Sequence, residues 1–172
     1  MKYSSKWKAW KAMIDLKTCL NCRKKNGKIY SINDLVYPAP PLHLNCRCVI
    51  ERLTTLLAGT ATDDGTNGAD WYLKKYGKLP DYYITPEEAA SEGWNPKMGN
   101  LFLTCPGKMI FGGIYQNKNR HLPTAPNRIW YEADINYEFG YRGTERILFS
   151  NDGLIFVTYD HYATFIEIGS VK

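Results

Sequence analysis

One carboxylate pair, one histidine and two arginines are spaced so that a single sheet can gather them. The run Ile129-Trp130-Tyr131-Glu132-Ala133-Asp134-Ile135 alternates in character. As a strand it sends Trp130, Glu132 and Asp134 to one side and Tyr131, Ala133 and Ile135 to the other. Ala133 and Ile135 suit a core, which leaves Glu132 and Asp134 on the open face. Arg142 and Arg146 arrive on the next hairpin arm, within reach of Asp134, and His161 stands at the turn before the last strand.

This set suits phosphoryl chemistry. A carboxylate can take a proton from an attacking hydroxyl, and a histidinium can give one to a leaving oxygen, each role worth roughly 10²–10⁴ in rate. Arginine forks match phosphate oxygens and hold the charge that grows in the transition state. The scheme needs no metal. The competing reading is a solvated, charged sheet face held by an ordinary ion pair.

A second constellation lies near the N-terminus. Cys19-x-x-Cys22 and His43-x-x-Cys46-x-Cys48 offer five soft or borderline ligands, and zinc takes four in a tetrahedron. Cys19, Cys22 and Cys46 are the first three expected ligands, with His43 or Cys48 as the fourth. Two disulfides are the alternative use of four cysteines. The fifth, Cys105, reads as a small buried hydrophobe.

The elements that must position these groups fall into three zones. Residues 1–58 are basic and Cys-rich, with 11 Lys and Arg against 3 Asp and Glu, a net +8. The remainder carries 11 against 14, a net −3, so the chain's basic excess belongs to its front third. Trp7, Trp10 and Ile14 have helical spacing and predict a helix over about residues 4–17. The small, polar, Gly-rich stretch 59–68 reads as a flexible linker. Residues 69–172 form the third zone. There Asp70–Tyr76 predicts a helix stopped by Gly77, and Thr85-Pro86-Glu87-Glu88 is a capped helix start. A short helix spans Asn100–Thr104. After Lys108 the period becomes two, with turns at Gly140, Gly143 and Asn151-Asp152-Gly153. Helices followed by strands on short turns predict an α+β domain, its helices packed on an antiparallel sheet of about five strands. No apolar run is long enough to span a bilayer, and Met1–Lys11 lacks the apolar core of a Sec-type signal peptide.

Residues 69–168 resemble the small secreted microbial ribonucleases of the barnase and binase type. The carriers are Leu79–Thr85, Glu92-Gly93-Trp94, Gly99-Asn100-Leu101, Pro106-Gly107-Lys108, Gly112-Gly113, Trp130–Tyr137, Arg146-Ile147-Leu148 and Asp160–Phe165, in family order with almost no gap. The resemblance implies that Glu132 is the general base acting on the ribose 2′-OH and His161 the general acid for the departing 5′-oxygen. It makes Arg142 and Arg146 phosphate ligands and Asp134 the acid that fixes them. Gln116, Asn117, Lys118 and Asn119 fall in the guanine-recognition loop, Tyr162 lines the site, and Arg128 with Asp152 is a buried structural pair. The implied substrate is single-stranded RNA and the product a 2′,3′-cyclic phosphate, with no cofactor for catalysis. DNA is excluded because the nucleophile is the 2′-OH. An acidic, barstar-like inhibitor is the implied partner.

Two departures bear on activity. Pro86 stands where the family carries a lysine facing the phosphate, and Asn119 where it carries a guanine-binding glutamate. They keep open a second function, a silent ribonuclease fold serving as an RNA-binding or virion part. His121 reads as a solvent-facing loop residue, and Trp71, Trp94 and Phe165 as core or platform.

The front zone resembles the C-terminal Cys-rich part of phage head-morphogenesis proteins, through Trp7–Trp10, Thr18–Cys22, the Gly27 turn and Pro40–Cys48. This implies a zinc-stapled delivery module joined to a toxin, with a phage head or secretion apparatus as partner. The protein would then act outside the producing cell, either exported by another route or delivered by phage or toxin machinery.

Overall fold

The computed structural model describes residues 1–171. A ten-residue strand, β1 (Lys2–Lys11), leads to a short helix α1 (Leu20–Lys25) and strands β2 (Ile29–Ser31) and β3 (Val49–Leu56). A single 3-10 turn at Gly65–Asn67 precedes α2 (Ala69–Tyr76), the two-residue strand β4 (Tyr83–Ile84) and α3 (Pro86–Ser91). A second 3-10 turn, Pro96–Met98, precedes α4 (Leu101–Thr104). The chain then runs through β5 (Met109–Tyr115), β6 (Trp130–Asp134), β7 (Arg146–Ser150), β8 (Ile155–Thr158) and β9 (Ile166–Ile168). The architecture is α+β, as the pattern of elements predicts.

Local chemistry sets the helix ends. Gly77 takes the left-handed conformation at φ 71° and its N–H reaches the Leu73 carbonyl at 3.0 Å. Thr85 caps α3 reciprocally with Glu88. The Glu88 N–H donates to Thr85 Oγ1 at 3.2 Å, and the Thr85 N–H donates to Glu88 Oε2 at 2.9 Å.

The sheet has nine strands in the order β2-β1-β3-β9-β8-β7-β6-β5-β4, not about five. Strands β5 to β9 form the expected antiparallel run. The extra width comes mainly from the front third. Strand β3 pairs in parallel with β9 through Thr55–Glu167 and Leu56–Ile168, and β1 and β2 continue outward. An edge strand left bare presents unpaired backbone groups, and β3 covers that edge.

The predicted N-terminal helix is a strand. Residues three apart share a face in a helix but take opposite faces in a strand. Trp7 packs into a cluster with Leu53, Leu122, Trp130, Leu148, Phe156 and Phe165, while Trp10 is buried among Ala12, Cys22 and Cys48. Two separate cores, one on each side of β1, satisfy a spacing that a single core would turn into a helix. Ser4 stabilises the irregularity in β1 by accepting from the N–H groups of Lys6 at 3.2 Å and Trp7 at 3.1 Å.

The segment 59–68 is packed, contrary to the expected flexible linker. Asp70, fully buried, accepts from the Gly59 N–H at 2.7 Å, the Ala61 N–H at 3.0 Å, Thr62 Oγ1 at 3.1 Å and its neighbour Trp71 N–H at 2.8 Å. Small residues let these backbone amides converge on one carboxylate. A side chain at Gly68 would run into the Thr62 hydroxyl. Ala58, Ala61, Ala69 and Leu73 then join Ala133, Ile147 and Val157 in the core between helix and sheet.

Replacing Asp70 leaves several buried donors without an acceptor. Asp70→Ala is expected to lower stability by about 3 kcal/mol, since bonds to a charged acceptor contribute about 1.5–3 kcal/mol each and only some find water. The check is the midpoint of urea unfolding at unchanged slope.

Candidate active site

Glu132 sits half-buried in the middle of β6, paired with Leu148 on one side and Gly113 on the other. The Tyr162 hydroxyl donates to its Oε2 at 2.6 Å. Burial, reinforced by the Glu132 charge, pushes the Tyr162 phenol well above its ordinary value, so it stays a donor. Tyr162 is fixed in turn by stacking on Tyr115, with ring centroids 5.2 Å apart and planes 13° apart.

Gly112 makes room for this carboxylate. The β5–β6 register slips between Phe111–Ala133 and Gly113–Glu132, leaving Gly112 as the extra residue of a bulge, and Gly113 has φ 79°. A Cβ on Gly112 would lie 3.0 Å from Glu132 Cγ and 3.1 Å from Oε1. Sequence reasoning gives Gly112 no role, although paired glycines inside a strand are the usual sign of a bulge or a close approach.

Asp134 is 1% exposed and anchors both arginines. Arg142 Nε and Nη2 donate to its two oxygens at 2.6 and 2.7 Å. That bond raises the Arg142 pKa further. Arg146 Nε lies 3.0 Å from Asp134 Oδ1, but its N–H does not aim at that oxygen and remains without a hydrogen-bond acceptor. The Arg146 Nη1 donates to the carbonyls of Gly143 at 2.8 Å and Glu145 at 2.7 Å. One carboxylate against two guanidinium groups leaves a positive charge. The face that carries these groups is not open along its whole length. Its Trp130 end is covered by Leu122, Leu148 and Phe156, together with Ile29 and Leu53 of the front third.

His161 is exposed at the start of the loop between β8 and β9. It and Tyr162 both hold positive φ, 55° and 68°, and their rings lie 5.0 Å apart. Asp160 holds this turn by accepting from Thr158 Oγ1 at 2.9 Å and the Thr164 N–H at 2.8 Å, and Thr158 Oγ1 accepts from the Tyr162 N–H at 3.0 Å. Such strained pairs persist only where their surroundings fix them.

The loop Gln116–His121 divides its labour. Gln116, Lys118 and Asn119 are exposed. Asn117 is buried, with its amide nitrogen donating to the Leu122 carbonyl at 2.9 Å and its Oδ1 accepting from the Leu122 N–H at 3.1 Å. Its side chain therefore shapes the loop. His121 is buried rather than solvent-facing. Its Nε2 bonds the Lys24 carbonyl at 2.9 Å and its ring meets Phe165 edge-on. The front third burying this histidine is a tertiary fact that loop composition does not reveal.

The remaining expected positions are supporting ones. Arg128 donates twice to Asp152, Nε to Oδ2 at 2.9 Å and Nη2 to Oδ2 at 2.7 Å, and the guanidinium holds the Asp152 carboxyl below its usual range. This pair is not buried as expected, because the Asp152 side chain is 45% exposed. Trp94 is buried with the Arg142 guanidinium 5.9 Å from its ring centre, and Cys105 is buried and free.

In the front third the cysteines are free thiols that form two overlapping ligand groups, Cys19/Cys22/His43 and Cys22/Cys46/Cys48. His43 Nε2 lies 3.2 Å from Cys19 Sγ and 3.3 Å from Cys22 Sγ, and the Cys22 and Cys46 sulfurs are 3.8 Å apart. The edges of a zinc tetrahedron are about 3.5 Å for nitrogen to sulfur and about 3.8 Å for sulfur to sulfur, given Zn–N and Zn–S bonds near 2.0 and 2.3 Å. The His43 Nδ1–H donates to the Leu44 carbonyl at 2.9 Å, which leaves Nε2 facing the thiols. Backbone N–H groups of Cys48 and Leu42 lower the Cys46 thiol to about 7, while burial pushes the Cys22 thiol up. A buried thiol that must ionise beside others fits a cation at this point, so the donor set suits zinc.

Comparison with known proteins finds two families along the chain. The family model described as Phage Mu protein F like protein matches residues 1–51, and the ribonuclease model matches residues 66–169. A protein named Ribonuclease from Bacillus intermedius is 44% identical over 117 residues, 68% of this chain and 72% of its own length, and one from Bacillus pumilus matches equally. A Ribonuclease from Heyndrickxia coagulans is 47% identical over 102 residues, 59% of this chain and 94% of its own. The ribonuclease match runs through all of the candidate site residues, and the chain belongs to the microbial ribonuclease family.

Proposed function

We propose that this protein is a metal-independent endonuclease that cleaves single-stranded RNA by transphosphorylation. The observation that carries the reading is the pairing of a Tyr162-held carboxylate, Glu132, with two arginines, Arg142 and Arg146, anchored on Asp134. Glu132 takes the proton of the ribose 2′-OH, and O2′ attacks phosphorus. The P–O5′ bond breaks and His161 gives its proton to the leaving O5′. Arg142 and Arg146 hold the phosphoryl oxygens as charge grows on them. The product is a 2′,3′-cyclic phosphate, which water later opens with the two residues in exchanged roles. Side chains handle every proton and charge in this scheme.

The base facing the loop is contacted by the exposed Gln116, Lys118 and Asn119. Asn119 offers an amide where a carboxylate would match both N–H groups of guanine, so guanine preference is retained but weakened. Pro86, at the first position of α3, supplies no charge to the phosphate.

The front third is the delivery module of a toxin, stapled by zinc on Cys19, Cys22 and Cys46 with His43 or Cys48. Zinc there supplies folding energy and no chemistry. The action is extracellular or follows phage-type delivery, and an acidic, barstar-like inhibitor protects the producing cell by covering the cationic site.

Incubation with GpA, ApA and UpA in buffer without added divalent cations tests the catalytic reading. GpA is expected to yield cyclic phosphate fastest, and Glu132→Ala to lower the rate by about 10²–10⁴. Equal rates in wild type and Glu132→Ala would defeat the mechanism, and no turnover of any dinucleotide would favour a silent fold that binds RNA.

Gly112→Ala moves the Glu132 carboxylate and is expected to lower kcat by about 10–10²-fold with little change in melting temperature, because small misplacements of reacting groups are costly. Metal analysis of the purified chain is expected to find one zinc per molecule. Chelation or Cys22→Ser should remove the metal and lower the melting temperature; a chain that melts identically with and without it has no structural zinc.

A further inference from the structure

We propose that Lys25, Lys28 and Arg120 form a phosphate-binding subsite for an RNA strand that extends beyond the cleaved bond, built across the seam between the front third and the ribonuclease domain. The inference rests on the ribonuclease reading and adds to it a binding role for Lys25 and Lys28, which lie outside the ribonuclease match.

The seam is a close fit. The Ile29 N–H donates to the His121 carbonyl at 2.8 Å, and His121 Nε2 bonds the Lys24 carbonyl at 2.9 Å. A Cβ on Gly27 would collide with the Ala163 carbonyl. The turn after α1 is thereby wedged between the base loop, two residues past Asn119, and the turn that carries His161. Lys25 and Lys28 flank that wedge in sequence, and Arg120 faces them from the base loop.

These three cations are held together without anions. None of them stands in an ion pair among the described residues. Partial burial, then the charges of Lys25 and Arg120, lower the Lys28 ammonium pKa, so Lys28 feels a cation on either side. Aromatic rings hold the two lysines in place. Lys25 Nζ lies 5.0 Å over Trp10 and Lys28 Nζ 5.5 Å over Tyr30. Positioned, unpaired cations at a seam that touches both the 116–121 loop and the His161 turn are neutralised by the phosphates that flank the reacting one in a longer strand. A dinucleotide carries only the scissile phosphate and has none to offer them.

The test compares the full chain with Lys25→Gln/Lys28→Gln, which keeps the side-chain stems, and with the charge-preserving Lys25→Arg/Lys28→Arg. Anisotropy of a labelled deoxy twelve-mer, which lacks the attacking 2′-OH, reads binding against salt without cleavage. The Gln variant is expected to show a log–log salt slope shallower by about 1.4, at about 0.7 per single-strand phosphate contact, with the Arg variant at the wild-type slope. Its kcat/KM on a twelve-nucleotide RNA should fall while that on GpA holds. An unchanged slope and unchanged RNA-to-GpA ratio overturn the subsite, as does an equal loss on both substrates. If the wild type cleaves no dinucleotide, the catalytic reading fails and the anisotropy slope still decides the subsite.

Discussion

The site depends on one buried carboxylate. Asp134 is almost wholly removed from water and takes both oxygens into a bidentate grip on Arg142, with Arg146 at its flank. Burying such a charge unpaired would cost several kcal/mol, and one guanidinium would only offset it. Two guanidinium groups over-compensate and leave a surplus positive charge at the site. The Tyr83 hydroxyl, donating to the Asp134 carbonyl at 2.6 Å, ties the same residue to the strand β4 side of the molecule. Glu132, two residues earlier on the same face, takes its orientation from Tyr162 and its space from Gly112.

That arrangement stands over a core the ribonuclease domain does not complete by itself. Leu122, Trp130, Leu148, Phe156 and Phe165 pack with Ile29 and Leu53, and Trp7 meets Phe156 edge-on with centroids 6.5 Å apart. The base loop and the His161 turn both rest on this cluster, through Leu122 and Phe165. The front third therefore supports the 116–121 loop and the His161 turn. Its own small core, Trp10 and Ala12 with the cysteines, is too slight to hold without a staple, which is the physical case for metal at that point.

Continuity of the sheet makes the two parts one folding problem. The β3–β9 pairing is short, but the Gly169 N–H to Leu56 carbonyl bond at 2.7 Å and the four donors converging on Asp70 lock the chain on both sides of the crossing.

The sequence by itself determined what local chemistry and face periodicity can carry. The reciprocal cap of Thr85 with Glu88, the Gly77 stop, the strand with Ala133 and Ile135 inward, and the grouping of Glu132, Asp134, Arg142 and Arg146 were all legible, because each is set by neighbours within a few residues or by alternation along a strand. The five metal-ligand candidates were legible from spacing, since cysteine and histidine pairs at such intervals have few other uses. Only the tertiary structure decided that Trp7 and Trp10 face two different cores, which turns an apparent helix into β1. It alone decided that residues 59–68 converge on Asp70, that His121 is buried under Lys24, and that Gly112 yields space to Glu132. Each of these depends on a partner distant in sequence, and the residue's own type and spacing carry no signal of which partner arrives.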